Sequence, residues 1–123
     1  MLVWNSGDKC IKTVSGAALG DKNNVYAKTI VTSSAALTTG STYVQLISGA
    51  STVTLTLPST PIAGQAFKIK DACGNALSIP IVVDSGAGKT IDGSQCALIN
   101  TDFGALELMY GATNKWYSLA FIN

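Results

Sequence analysis

The run Ser85-Gly-Ala-Gly-Lys-Thr90 is the segment of this chain that most invites a chemical reading. A phosphate cradle needs the spacing G-x-x-x-x-G-K-[ST] ahead of a helix, so that backbone amides and the helix N-terminus meet the anion. Here Val83 stands at the first glycine position, and Ile91-Asp-Gly93 follows as a turn. The segment therefore reads as a tight β-turn. Asp102-Phe-Gly104 matches the magnesium-binding tripeptide of protein kinases in its letters, but no glycine-rich loop or catalytic loop accompanies it, and it too reads as a turn. Asp71, Asp84 and Asp92 all fall at turn signals, where a carboxylate accepts backbone amides. That role accounts for each singly, without the carboxylate pair of a hydrolase or the spacing of a calcium loop.

The remaining inventory excludes more than it offers. The chain has no histidine, so it can build no Ser-His-Asp triad, no Cys-His dyad and no imidazole metal site. All eight basic residues are lysine and the net charge is +1, which argues against nucleic-acid binding by phosphate neutralisation and arginine-to-base contacts. Cys10, Cys73 and Cys96 are odd in number and show no C-x-x-C spacing; three reduced, mostly buried thiols are expected. No catalytic, cofactor-binding or metal-binding residue is predicted. The candidate interaction residues are apolar anchors: Trp4, Ile11 and Val14 in a weakly patterned N-terminal stretch, and Trp116 near the C-terminus. In the alternating run Tyr117, Leu119, Phe121, these three are expected to face inward, which leaves Trp116 for an interface or for stacking on a sugar ring.

The elements that would position these residues are strands. Thr52-Val-Thr-Leu-Thr-Leu57 alternates strictly, with Val53, Leu55 and Leu57 toward a core, and Ala66-Phe-Lys-Ile-Lys-Asp71 repeats the pattern with Phe67 and Ile69. Further strands are predicted at Tyr26–Thr32, Thr42–Ile47, Ile79–Val83, Lys89–Ile91, Cys96–Asn100, Leu106–Tyr110 and Lys115–Phe121. Pro58, Pro61 and Gly64 interrupt the ladder between two of them, and Asp71-Ala-Cys-Gly-Asn75 reads as a hairpin turn with Gly74 or Asn75 suited to positive φ. Only Ser33-Ser-Ala-Ala-Leu37 suggests a single helical turn. Eight or nine short strands with frequent turn signals predict an all-β, antiparallel β-sandwich or jelly-roll-like domain over 26–123, preceded by an irregular arm, 1–25.

Composition adds a constraint on the surface. Charged residues make up 12% of 123 residues, against about 25% in ordinary domains, while Ser and Thr number 25 and Ala and Gly 27. Surface scaling gives a 12.7 kDa monomer about 6,200 Å², or about one charge per 400 Å². A surface so sparsely charged is expected to be covered in part by a partner. No apolar run reaches the length of a membrane span, and the N-terminus lacks the basic start and apolar core of a signal peptide.

From Tyr26 to Phe121 the chain resembles a β-rich module recurrent in structural proteins of tailed bacteriophages, both tail-fibre or appendage proteins and head-decoration proteins. The resemblance is carried by Thr52-Val-Thr-Leu-Thr-Leu-Pro58, Ala63-Gly-Gln-Ala-Phe-Lys-Ile-Lys-Asp71, Gly74-Asn75, Ile79-Pro-Ile-Val-Val83, Gly88-Lys-Thr-Ile-Asp-Gly93, Ile99-Asn100, Leu106-Glu-Leu-Met-Tyr110 and Trp116. Cys73 stands where serine is more usual, and residues 1–25 have no counterpart. The resemblance implies a virion module without catalysis or cofactors, often homotrimeric, made in the bacterial host cytoplasm. The expected function is a capsid decoration or cement protein whose partners are itself and the major capsid protein or another virion protein. The alternative is a tail-fibre or tail-tip domain that binds host-surface carbohydrate.

Overall fold

The structure, a computed structural model, describes residues 25–122 in full and, for Leu2–Asn5 and Cys10–Thr13, the backbone pairing. The described residues form no helix. The strands are β1 (Leu2–Asn5), β2 (Cys10–Thr13), β3 (Lys28–Val31), β4 (Ala35–Ala36), β5 (Val44–Ile47), β6 (Thr54–Thr56), β7 (Ala66–Asp71), β8 (Ile81–Asp84), β9 (Thr90–Ile91), β10 (Cys96–Ile99), β11 (Ala105–Ala112) and β12 (Lys115–Ile122). β1 and β2 pair with each other; a large sheet runs β9-β12-β11-β7-β5-β3, and a small sheet runs β10-β8-β6-β4.

The chain visits the two sheets in alternation. β3, β5 and β7 lie side by side and parallel in the large sheet, while β4, β6 and β8, which follow them one by one, lie side by side and parallel in the small one. Each turn of chain thus lays one strand on each sheet, and three turns make a short β-solenoid. The last strands close it with antiparallel pairs: β10 on β8, β11 on β7, and the β11–β12 hairpin. The all-β expectation holds; the antiparallel sandwich or jelly roll does not, because the central ladders are parallel. The Asp71–Asn75 segment is accordingly a crossing between sheets and no hairpin, and the suggested helical turn at 33–37 contains β4.

The core lies between the inner faces. The large sheet contributes Val31, Ile47, Phe67, Ile69, Leu106, Leu108 and Trp116, and the small sheet Leu55, Ile81, Val83 and Ile99. Val53 and Leu57, on either side of β6, are buried with Leu55 as their alternation predicts. In β7 the same rule holds, with Phe67 and Ile69 inside and Lys68 and Lys70 outside. Parallel stacking aligns equivalent positions of successive turns, so Val31, Ile47 and Asp71 form one inner row.

The final strand overturns one expectation. Trp116 is 0% exposed, with its ring 5.2 Å from Tyr110 and 6.0 Å from Phe67. Tyr117, Leu119 and Phe121, expected inside, are 48%, 54% and 52% exposed. Tyr117 pairs with Met109 on the outer face, and its ring lies over Gly111, where an added Cβ would sit 2.6 Å from Cε2. The register then slips between Glu107 and Leu108, so that Leu119 has no opposite partner and Phe121 returns to the face of Leu106 at the sheet's margin. One bulge breaks the two-residue period on which the expectation rested. Trp116→Ala should cost about 3–5 kcal/mol in urea unfolding, the range for a large buried aromatic, whereas Tyr117→Ala should stay within about 1 kcal/mol.

Candidate functional site

The turn carboxylates do what their residue type suggests, and one does much more. Asp71 ends β7 with its side chain buried. Its Oδ1 accepts the backbone N–H groups of Cys73 at 3.1 Å and Gly74 at 3.0 Å, and its Oδ2 those of Ala76 and Phe103, both at 2.9 Å. Burial by itself would raise the carboxyl pKa, but these four donors, led by Phe103 and Ala76, outweigh it and hold the group below its ordinary value. The carboxylate thereby ties the β7–β8 crossing to the β10–β11 loop. Phe103 adopts φ 59° there, and its ring rests on Gly74 so closely that no Cβ would fit. The Lys70 ammonium lies 5.6 Å above that ring and donates to the Phe103 carbonyl. Asp102-Phe-Gly104 is thus a structural clasp between loops.

Asp84 and Asp92 hold fewer backbone groups. Asp84 Oδ1 accepts the Gly86 amide at 2.8 Å, and Ser85 Oγ, buried, donates to the Lys89 carbonyl at 2.6 Å, which closes the 85–90 turn around a hydroxyl. β9 follows this turn where a phosphate cradle would need a helix. Asp92 accepts the Ser118 amide at 3.1 Å and the Ser118 hydroxyl. Among the described residues no three His, Cys, Asp or Glu side chains converge on a metal position, and no pocket is enclosed. Cys73 and Cys96 are unpaired and exposed, against the expectation of burial; Cys73 Sγ lies 3.3 Å from Ser48 Oγ.

Of the predicted interaction residues, Trp116 is in the core and presents nothing to a partner. Trp4 and Ile11 are register partners in the β1–β2 pair, and Val14 lies outside the described residues. The exposed apolar side chains that the structure does display sit elsewhere. β9 covers the edge of β12 at Lys115 and Trp116, and Asp92 extends that cover to Ser118. Beyond it, from Leu119 to Ile122, β12 has a ladder partner on one side only among the described residues, and Leu119, Phe121 and Ile122 are each about half exposed. An uncovered apolar strand edge offers unpaired backbone donors and acceptors together with apolar area, the two things another polypeptide can use.

One polar pair lies close to this end. Tyr43 donates to Glu107, the chain's one glutamate, and its phenol is pushed up to about 12 by burial, by that hydrogen bond and by the glutamate's charge. Compared with protein-family models and with curated proteins, the chain matches none.

The Asp71 arrangement predicts an acid response. A carboxyl held below its unfolded value contributes stability that is present above about pH 4 and lost as pH falls through the folded value. Asp71→Asn keeps one acceptor oxygen and orphans two donors, so it should cost about 2–4 kcal/mol at pH 7. In urea titrations the gap between wild type and variant should narrow as pH is lowered from 7 to about 3.

Proposed function

We propose that the chain is a non-enzymatic structural module of a bacteriophage virion, a decoration or cement protein that assembles on the capsid surface as a homotrimer. The observation that carries the reading is the end of β12, where Leu119, Phe121 and Ile122 stand exposed along an edge with no ladder partner among the described residues. Three-fold assembly is heterologous, joining one patch to a different one, so a strand edge can pair without having to be its own mirror. The low charge density supports the same reading. Covering Thr, Ser and Ala surface against a protein lattice gains apolar burial and desolvates few ions. The sequence resemblance supplies the virion setting, and the major capsid protein or another virion protein is the expected platform.

Light scattering coupled to gel filtration tests the assembly. The chain should elute with three times the protomer mass, and Leu119→Lys/Phe121→Lys should elute as a monomer with an unchanged far-ultraviolet spectrum. The virion setting is tested by sedimentation with purified, undecorated capsids, in which the wild-type chain should pellet. A monomeric wild-type chain that stays in the supernatant overturns the proposal.

A further inference from the structure

A second apolar surface, which shares only Ile122 with the β12 edge, lies on the outer face of the large sheet. Its clearest sign is β5, which inverts the expected pattern: Gln45 is buried, with its amide donating to the Thr42 carbonyl at 2.8 Å, while Val44 and Leu46 point outward. The register extends this face across five strands. Ile30, Leu46, Lys70, Ala105 and Ile122 form one outer row, in which Ala105 is itself buried, and Met109 and Tyr117 lie beside it. At strand spacing the row is about 19 Å wide. Ile30 is 60% exposed, next to buried Val31.

Two of the charges on this face are already engaged within the chain. Lys70 carries its ammonium off to the Phe103 carbonyl and ring, which leaves only its methylene stem in the row. Glu107 is held by the Tyr43 hydroxyl. Lys28, Lys68 and Lys115, the last beside buried Trp116 in β12, are the other charged residues of the described strands on this face.

The chain enters the described body on this same side. Tyr26 packs its ring 5.2 Å from that of Tyr43, whose hydroxyl reaches Glu107 on the outer face. Ahead of it lies the β1–β2 pair, whose register places Leu2 opposite Thr13 and Trp4 opposite Ile11, on one face, with Val3, Asn5, Cys10 and Lys12 on the other. A lone two-stranded pair is marginal in water and needs a surface to cover its apolar side. Residues 14–24 connect the pair to the body and span at most about 40 Å, twice the width of the row. A tethered segment competes at millimolar effective concentration, which favours it over a second copy in dilute solution.

We infer that the chain's own β1–β2 pair seats on the outer face of the large sheet, with the Leu2, Trp4 and Ile11 side laid over Ile30, Leu46, Tyr117 and Ile122. The contact is sheet on sheet, with the two layers about 10 Å apart. It leaves the Leu119 and Phe121 edge free, so it stands whether or not the chain assembles as proposed above.

Fluorine NMR on the full chain labelled with 5-fluorotryptophan tests this directly. Its two resonances belong to Trp4 and Trp116, with Trp4→Phe giving the assignment, and buried Trp116 serves as the internal reference for zero solvent isotope shift. Trp4 should likewise lose most of its shift between water and deuterium oxide, at every protein concentration. Ile30→Lys and Tyr117→Lys, both at exposed positions, should restore it while leaving Trp116 unmoved. A solvent-exposed Trp4 in the wild-type chain overturns the inference, as does shielding insensitive to both variants. Shielding that vanishes on dilution also overturns it, and assigns the face to a second copy.

Discussion

Parallel neighbours in a sheet cannot be joined by a tight turn: the chain must leave the sheet and come back before it can lay the next strand in the same direction. In this protein that constraint sets nearly everything else. β4, β6 and β8 are laid down on the return path of β3, β5 and β7, and so the second sheet exists because the first is parallel. The crossings between sheets then pass close to the core, where unpaired backbone groups are costly. Asp71 answers that cost at the 72–80 crossing by accepting four amides at once, three of them from that crossing and one from a loop over thirty residues away. Ser85 answers it at the next crossing, with a buried hydroxyl bonded to the Lys89 carbonyl. The polar residues of the interior are therefore loop residues by function, even where they end a strand.

Strand positions and inner faces were largely legible from the sequence because alternation depends only on which side of a strand is buried. Leu55, Phe67, Ile69, Leu106 and Leu108 obey it, and all lie in the core. Ladder direction was not legible. The period of two is the same for parallel and antiparallel partners, and nothing in Thr52–Leu57 or Ala66–Asp71 distinguishes them. The one signal lay in the connections, where Pro58, Pro61 and Pro80 break the chain in places too long and too stiff for two-residue hairpins. The β11–β12 hairpin failed for a different reason. Its bulge opposite Glu107 and Leu108 changes the phase within a strand, so a face assigned from Leu119 and Phe121 carried Tyr117 to the wrong side and Trp116 with it.

The surface candidates were harder still to read, because an exposed apolar residue looks like a core residue in sequence. Trp116 was singled out as a residue left over by its neighbours, and the structure buries it fully in the core. Ile30 and Ile122 drew no attention, since each sits next to a residue that satisfies the pattern. β5 held a usable signal in Val44-Gln-Leu-Ile47, where a single polar residue interrupts an apolar run. A strand with apolar residues on both sides is the mark of one covered on both faces.

That mark bears on the scarcity of charge. A chain with 12% charged residues has little with which to keep a sheet face in water, and part of what it has is drawn inward or tied down: Asp71 in the core, Glu107 to Tyr43, Lys70 to Phe103. The small sheet, with Thr54, Thr56 and Asp84 on its outer side beside Val82 and Leu98, has polar groups of its own to meet solvent. The large sheet cannot do so as easily, since its outer row is built from Ile30, Leu46, Ala105 and Ile122. The two sides of one coil therefore have opposite needs, and sparse charge is tolerable on both only if the apolar side is covered. The position of that side, next to the entry of the chain at Tyr26, makes the preceding segment the cover with the shortest way to travel.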